Sequence, residues 1–277
     1  MKISVSKVKE AHIPLVAEAG FFGVDEGFPS LDSRDDILSG AYAERLLARY
    51  DIVRRYGLAV CQTHLTYQPS HLPPIGDGSY EAYEACLLPV LEKEIALTAA
   101  MGCPVAVMHP YYEDDVSKSR EGNLRLFEKL LPTLERHGVV YALENIYGAR
   151  MSDAHHSCVE DMLYYTDRVD SPHLGLCLDT GHALIRGQNP DEFLEKIVHR
   201  LAGLHLHTTI PSGDFHSIPF MLEGRDRIKW ARIGQILAAS DYAGTFNMEI
   251  RPPAGLSDAA AALYYRLAHQ IAEDILQ

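Results

Sequence analysis

The chain has 277 residues, 47% of them hydrophobic, with 25 Lys and Arg against 38 Asp and Glu for a formal net charge of -13. That length buries one large core, is short for two full-sized α/β domains and lies near the ~250 residues of one α/β barrel, so a single domain over 1–277 is expected. The acidic balance argues against broad attraction to nucleic acid or to an anionic membrane surface. Five cysteines, an odd number with no CxxC pair, suggest reduced, packed thiols and a cytoplasmic location. The opening MKISVSKVKEAHIP carries no signal-peptide apolar region, and no run reaches the ~18 apolar residues of a membrane span.

Strand-like and helix-like stretches alternate along the whole chain. KISVS (2–6) leads to a helix ending near Ala19, FFGVDEGF (21–28) to a helix over 42–56, and LAVCQTHL (58–65) to a long helix over 79–101. VAVMHP (105–110) precedes a helix over 120–137, VVYALEN (139–145) one over 158–168, and LGLCLD (174–179) one over 191–200. LAGLHLH (201–207) is followed by a helix over 228–240, and TFNMEI (245–250) by one over 258–276. Such alternation requires parallel strands joined by helical crossovers, and eight units are the number that closes a barrel. A (β/α)8 TIM barrel is therefore predicted. An open doubly wound sheet is the alternative, but the first unit has no G-x-G-x-x-G turn.

In such a barrel the C-terminal strand ends share one face, where active sites are built. His64 follows the third strand, His109 the fourth, Glu144 ends the fifth, Asp179 the sixth, His207 the seventh and Glu249 the eighth. A lone strand-end histidine is usually a hydrogen-bonded structural residue. Glu144 and Glu249 differ, because each lies in an apolar strand (YALEN, NMEIRP) where an ionised carboxylate is costly unless a cation or hydrogen bonds compensate it. One could be bridged by Arg251; two of them together with Asp179 on one rim point instead to a shared cation. Three carboxylates and an imidazole suit Mn2+, Mg2+, Co2+ or Zn2+. His182 can reach the same rim if a helical turn begins at Asp179. Asp214 and His216 are expected in a loop, SGDFHS, and His205, two residues before His207, in a structural or supporting place one layer deeper. Tyr111, Tyr112, Arg150 and Arg225 follow strand ends and could touch substrate, although each also reads as an ordinary loop residue.

LEN at Glu144, GLCLDTGH at Asp179 and His182, HLH at His207, GDFH at Asp214 and His216, the RIKW segment after them and MEI at Glu249 together resemble the xylose isomerase-like barrel superfamily over essentially the whole chain. In its epimerase and isomerase branch, the resemblance implies one divalent metal on Glu144, Asp179, His207 and Glu249. The two glutamates would also move the proton, and His182 would contact the substrate. The family-2 AP endonuclease branch implies instead a trinuclear zinc site on His64, His109, Glu144, Asp179, His182, His207, Asp214, His216 and Glu249. This chain departs from that branch at Thr208 and Thr209, where it has an Asn-Asp pair, at Gly181, where it has cysteine, and in HLTYQPS, which lacks its asparagine.

The resulting expectation is a metal-dependent sugar isomerase or epimerase with Glu144 and Glu249 as catalytic acid and base. His64, His109, His182, Asp214, His216 and Arg225 would face a small carbohydrate substrate, with no nucleic-acid or membrane partner and homo-oligomerisation left open. An AP endonuclease-like zinc phosphodiesterase, a dehydratase on the same scaffold and a catalytically silent binding protein are the competing readings.

Overall fold

The computed structural model describes residues 1–29, 33–67, 78–111, 115–147, 156–222 and 227–277. Arg225, Tyr112 and Arg150 lie outside them. In chain order the elements are β1 (Ile3–Ser6), α1 (Ile13–Glu18), β2 (Gly23–Gly27), α2 (Arg34–Leu38), α3 (Gly40–Arg55), β3 (Ala59–His64), α4 (Tyr80–Ala100), β4 (Val105–Met108), α5 (Val116–His137) and β5 (Val140–Glu144). They continue with α6 (Val159–Thr166), β6 (Leu174–Asp179), α7 (Thr180–Ile185), α8 (Pro190–Ile197), β7 (Leu201–His205), β8 (Thr208–Ile210), β9 (Gly213–Ser217), α9 (Trp230–Ala238), β10 (Phe246–Met248) and α10 (Asp258–Ile275).

Eight strands pair in parallel in the order β10-β1-β2-β3-β4-β5-β6-β7. The sheet closes on itself after β7: Leu206 bridges Met248, with Leu206 N donating to Asn247 O at 2.9 Å and Glu249 N to Leu206 O at 3.0 Å. This is the predicted TIM barrel. Outward side chains such as Leu143, Leu176, Leu178 and Met248 join the main core under the helices, while Val105, Val107, Ala142 and Cys177 form a small separate cluster inside the barrel. All five cysteines are free. Among the described residues no helix is long and apolar enough to cross a membrane.

Two local features shape the site, the first a departure from expectation and the second the helical turn at Asp179 that brings His182 to the rim. The SGDFHS segment is not a loop: β8 and β9 form an antiparallel ribbon that leaves the barrel after β7 and carries Asp214 and His216 on a strand. Thr209 helps to close it, its Oγ accepting from Phe215 N at 2.9 Å. The second feature is α7, which begins directly at the end of β6 because the Asp179 carboxylate caps it, Oδ1 accepting from His182 N at 2.7 Å.

The segment after β3 is held from outside the barrel. Glu94 on α4 is fully buried, with Oε2 accepting from Thr66 N at 2.9 Å and Oε1 against Thr66 Oγ, which in turn reaches Pro29 O at 2.6 Å. A protonated Glu94 satisfies this chain best, donating to Thr66 Oγ so that the hydroxyl can donate to Pro29. Burial outweighs the Thr66 hydrogen bonds and pushes the carboxyl from 4.5 up to about 8. The stability tied to the protonated form is therefore complete below about 4.5 and is lost as pH rises through about 8. Glu94→Gln mimics the protonated group and does not titrate. Thermal melts should show the variant close to wild type near pH 4 and progressively more stable than wild type toward pH 9. A constant difference across that range would contradict the assignment.

Candidate active site

The C-terminal strand ends bring the expected residues into one cluster at the barrel mouth. Glu144, Asp179 and Glu249 are all buried, and each faces imidazoles. Glu144 Oε2 lies 3.3 Å from His64 Nε2 and 3.4 Å from His109 Nε2. Its Oε1 lies 3.1 Å from His205 Nδ1 and 3.3 Å from His182 Nδ1. His207 Nε2 stands 3.2 and 3.3 Å from the two Asp179 oxygens and 3.5 Å from Asp214 Oδ1. His216 Nε2 contacts Asp214 Oδ2 at 2.8 Å, and its Nδ1 is 3.6 Å from Glu249 Oε2.

Local structure fixes these side chains. Asn145 ties β5 to β6, donating to Asp179 O at 3.0 Å and accepting from Asp179 N at 2.7 Å. His64 Nδ1 sits 3.0 Å from Leu65 O, and His182 Nδ1 2.9 Å from Asn145 O. A carbonyl can only accept, so both rings carry their proton on Nδ1, and in the neutral state Nε2 is the free donor atom. Tyr67 packs on His109 with centroids 4.0 Å apart and Tyr147 on His182 at 4.9 Å, forming aromatic walls. Tyr111 turns away: its ring packs against Tyr80 and Tyr83.

Two further residues join the site, His205 in the supporting place expected for it and Lys7, which was not expected. His205 Nδ1, besides touching Glu144, is 3.6 Å from Glu249 Oε2 and 4.0 Å from Asp179 Oδ2. Lys7, after β1, places Nζ 2.8 Å from Glu249 Oε1 and 3.0 Å from His216 Nε2. It takes the place proposed for Arg251 as the basic partner of Glu249. Lys7 and His216 both have left-handed backbones, φ 59° and 46°. Non-glycine residues of this kind are uncommon and cluster at functional sites.

The charges are mutually dependent. Burial disfavours an ionised Glu144, yet the facing His205 and His109 hold its carboxyl well below the usual range. Burial likewise opposes ionisation of Glu249, which His205 and Lys7 hold low. Burial alone would lower the pKa of His182, but Asp179, Asp214 and Glu144 outweigh it and push it up to about 10. His205 is raised the same way, against burial, by the surrounding acidic groups.

Several buried polar atoms lack hydrogen-bond partners among the described residues, including Glu144 Oε2, His207 Nδ1 and Asp214 Oδ1. Orphaned carboxylate oxygens facing imidazole nitrogens are what a cation site presents when its donors are in place. Ligand atoms within 4.8 Å of one another form adjoining groups: His64, His109 and Glu144; Glu144, Asp179 and His205; Asp179, His207 and Glu249; and His207, Asp214 and His216. The donor set fits a divalent ion.

Gly181 makes room for His207. A Cβ at that position would lie 2.0 Å from His207 Cε1. Gly181→Ala should therefore destabilise the protein by about 1–3 kcal/mol, the usual range for overpacking, and displace the imidazole from Asp179. In the Gly181→Ala, His207→Ala double variant the ring is gone and the stability loss should shrink. Denaturant melts of the two single variants and the double variant measure the coupling; additive losses would show that the contact is relieved elsewhere.

The family model described as xylose isomerase-like TIM barrel matches residues 13–267. An uncharacterised protein of Sinorhizobium fredii is 30% identical over 190 residues, 66% of this chain and 58% of that protein. A D-psicose 3-epimerase of Enterocloster bolteae is 29% identical over 138 residues, 49% of this chain and 42% of that enzyme. The matched stretches thus span about half the length of these curated relatives. Among solved structures, a D-psicose 3-epimerase from Clostridium cellulolyticum H10, crystallised with D-tagatose, superposes with a TM-score of 0.78 over 100% of both chains at 15% identity, a likeness of fold. With its model matched over nearly the whole barrel, this chain belongs to the xylose isomerase-like TIM barrel family.

Proposed function

We propose that the protein is a divalent-metal-dependent isomerase or epimerase of a small sugar or sugar-derived hydroxy-carbonyl compound. The observation that carries this reading is the convergence of buried Glu144, Asp179 and Glu249 on imidazole nitrogens at the barrel mouth, with an unpartnered Glu144 oxygen among them. The epimerase relatives supply the substrate class. Glu144, Asp179, His207 and Glu249 would hold the ion, with His205 supporting Glu144 from its Nδ1 side. The bound ion supplies Lewis-acid polarisation of the substrate carbonyl.

Glu144 and Glu249 both lie within 3.6 Å of the same His205 nitrogen, so they can flank one substrate carbon. One removes the proton α to the carbonyl. If the other returns a proton to the opposite face of that carbon, the product is an epimer; if the proton goes to the neighbouring carbon, an aldose and a ketose interconvert. Tyr67 and Tyr147 exclude water from the histidine side. His64, His109, His182, Asp214 and His216 supply hydrogen bonds to substrate hydroxyls, with Arg225 assigned to the same task. The chemistry suits a cytoplasmic carbohydrate enzyme.

One observation favours a second reading, a trinuclear zinc phosphodiesterase: the adjoining ligand groups continue past the central carboxylates to His64 and His109 on one side and to Asp214 and His216 on the other. The net charge of -13 and the use of Thr209 in closing the ribbon speak against a nucleic-acid partner.

Elemental analysis of metal-loaded protein should give about one tightly held divalent ion per chain, as the four-donor reading requires. About three ions, together with incision of abasic duplex DNA, would favour the phosphodiesterase. Chelation should abolish isomerisation and lower the melting temperature, because an ion bound only by the folded state stabilises it by mass action. An apoprotein with unchanged activity and melting temperature would rule out metal dependence.

Glu144→Gln or Glu249→Gln should cut turnover by at least ~100-fold, at the low end of what a positioned acid or base contributes. Solvent deuterium should appear at the substrate's α-carbon in the wild type. Near-normal turnover in both variants would exclude the two glutamates as the proton carriers.

A further inference from the structure

The segment that leaves β3 carries one aromatic wall of the site, and a carboxyl from a helix holds it. Past the strand end the chain keeps two strand-like bonds: His64 O accepts from Phe28 N at 2.8 Å, and Leu65 N donates to Val107 O at 2.8 Å. β2 ends at Gly27, so the next amide, Thr66 N, falls outside the parallel ladder. Glu94 on α4 supplies its acceptor, with Oε2 at 2.9 Å, and Thr66 Oγ bridges from Oε1 to Pro29 O. One buried carboxyl thus ties the exits of β2 and β3 to a helix outside the barrel.

The docking of α4 does not explain that carboxyl. The helix buries Leu87, Val90, Leu91, Ile95 and Leu97, and an apolar side chain at position 94 would pack with them without the cost of burying a polar group. An apolar residue would, however, leave Thr66 N without its acceptor, and an unpartnered buried N–H is costly. The residue after Thr66 gives that bond a function. Tyr67 lays its ring on His109, with centroids 4.0 Å and planes 31° apart, and stands 5.5 Å from the His64 ring. Both imidazoles turn Nε2 to Glu144 Oε2, at 3.3 Å from His64 and 3.4 Å from His109. A short chain of contacts, through Thr66, Tyr67 and His109, therefore links Glu94 to the Glu144 carboxylate.

We propose that Glu94 is a positioning residue of the active site: by fixing Thr66 it seats Tyr67 on His109 and sets the aromatic wall beside Glu144. This role rests on the reading of the barrel mouth as the reaction site, although the contact itself needs neither a metal nor a proton transfer. Glu94 lies outside the barrel wall, on a helix, and acts through the place of one ring. Without its hydrogen bonds the segment loosens, His109 is uncovered and water gains access beside Glu144.

The test reads the cover on His109 directly. Full-length wild type, Glu94→Leu, Glu94→Gln and Thr98→Val are treated with diethyl pyrocarbonate at about pH 6, where Glu94 keeps its proton, and peptide mapping follows the carbethoxylation of each histidine. In Glu94→Leu, His109 should react about tenfold faster, as expected when a buried N–H loses its acceptor and the segment opens more often. Glu94→Gln can accept from Thr66 N and donate to Thr66 Oγ, so it should restore the wild-type rate. Thr98→Val removes another buried polar contact between α4 and β3, Thr98 Oγ to Thr63 Oγ at 2.8 Å, and should leave His109 as it is in the wild type. His173, just before β6 at the opposite end of the barrel, should react alike in all four proteins.

An unchanged His109 rate in Glu94→Leu would overturn the proposal. So would equal acceleration of His173, equal acceleration in Thr98→Val, or failure of Glu94→Gln to restore the rate. If Glu94→Leu does not fold, Thr66→Val takes its place, because it keeps the N–H and severs the hydroxyl bridge to Pro29. Acceleration confined to the histidines under Tyr67 then supports the role, and a wild-type rate refutes it. The metal-dependent reading fails separately: wild-type protein that shows the expected pattern but binds no divalent ion would refute that reading and leave the contact standing.

Discussion

Three carboxylates, Glu144, Asp179 and Glu249, are buried together at the mouth of the barrel, and most of the surrounding structure can be understood as a response to that fact. An ion taken out of water costs several kcal/mol even after relaxation, and like charges in proximity add to it. Without a bound cation the compensation falls to Lys7 and to the imidazoles, which is why His182, His205 and His207 are drawn toward their protonated forms. Protons on histidine and a divalent ion are thus alternative occupants of one field. The same carboxylates also organise backbone: Asp179 caps α7 and so delivers His182, while Asn145 locks the ends of β5 and β6 in register beside it.

Backbone geometry responds to the same constraint. Lys7 and His216 come from distant parts of the chain, adopt left-handed conformations at φ 59° and 46°, and meet at Glu249. Sparsely populated backbone of this kind costs on the order of 1–3 kcal/mol per residue and persists where the surroundings enforce it. Here the enforcement is visible. The segment after Lys7 is held by Arg49, which donates to Val8 O at 2.7 Å while forming a two-pronged pair with Glu26, and His216 is fixed by the ribbon and by its contact with Glu249 O at 3.1 Å. Glu26 and Asp25 are adjacent on β2 yet serve opposite sides of the barrel wall, one anchoring α3 and the other facing His205.

The barrel was legible in the sequence because period and length both pointed to it, and the eight strands begin and end within a few residues of expectation. Glu144, Asp179 and Glu249 were legible for a physical reason, the cost of a carboxylate inside an apolar strand. The same cost applies to VDE in FFGVDEGF, where Asp25 is buried below the strand ends that carry the other carboxylates. His205 was legible as an inward-facing neighbour of His207 two residues earlier on the strand, but its contacts with Glu144 and Asp25 depend on the fold. The Asp214–His216 ribbon was not legible, since a three-residue strand against a strand holding Gly213 and His216 carries too little periodicity to separate it from a loop. Lys7 at the end of KISVSK gave no signal of its own; only the fold brings it to Glu249.

Lys7 also bears on how many ions this mouth can hold. The donor groups overlap: Glu144 belongs to two of them, and Asp179 and His207 are each shared as well. Shared donors alone would permit a multinuclear arrangement. The corner formed by Asp214, His216 and Glu249 already contains an ammonium, with Nζ 2.8 Å from Glu249 Oε1 and 3.0 Å from His216 Nε2. Two unit charges about 4 Å apart near a protein surface repel by about 4 kcal/mol, and a dication beside an ammonium by about twice that. An ion at this corner must therefore displace Lys7 from its partners, whereas the groups that Lys7 touches, Glu249 and His216, include neither Glu144 nor Asp179. The imidazole of His207, packed over the bare Cα of Gly181, further fills the space between the two corners. On the proposed metal-dependent reading, the carboxylate centre is therefore the favoured cation position. Asp214 and His216 are better suited to hydrogen-bond a neutral substrate than to hold a second metal.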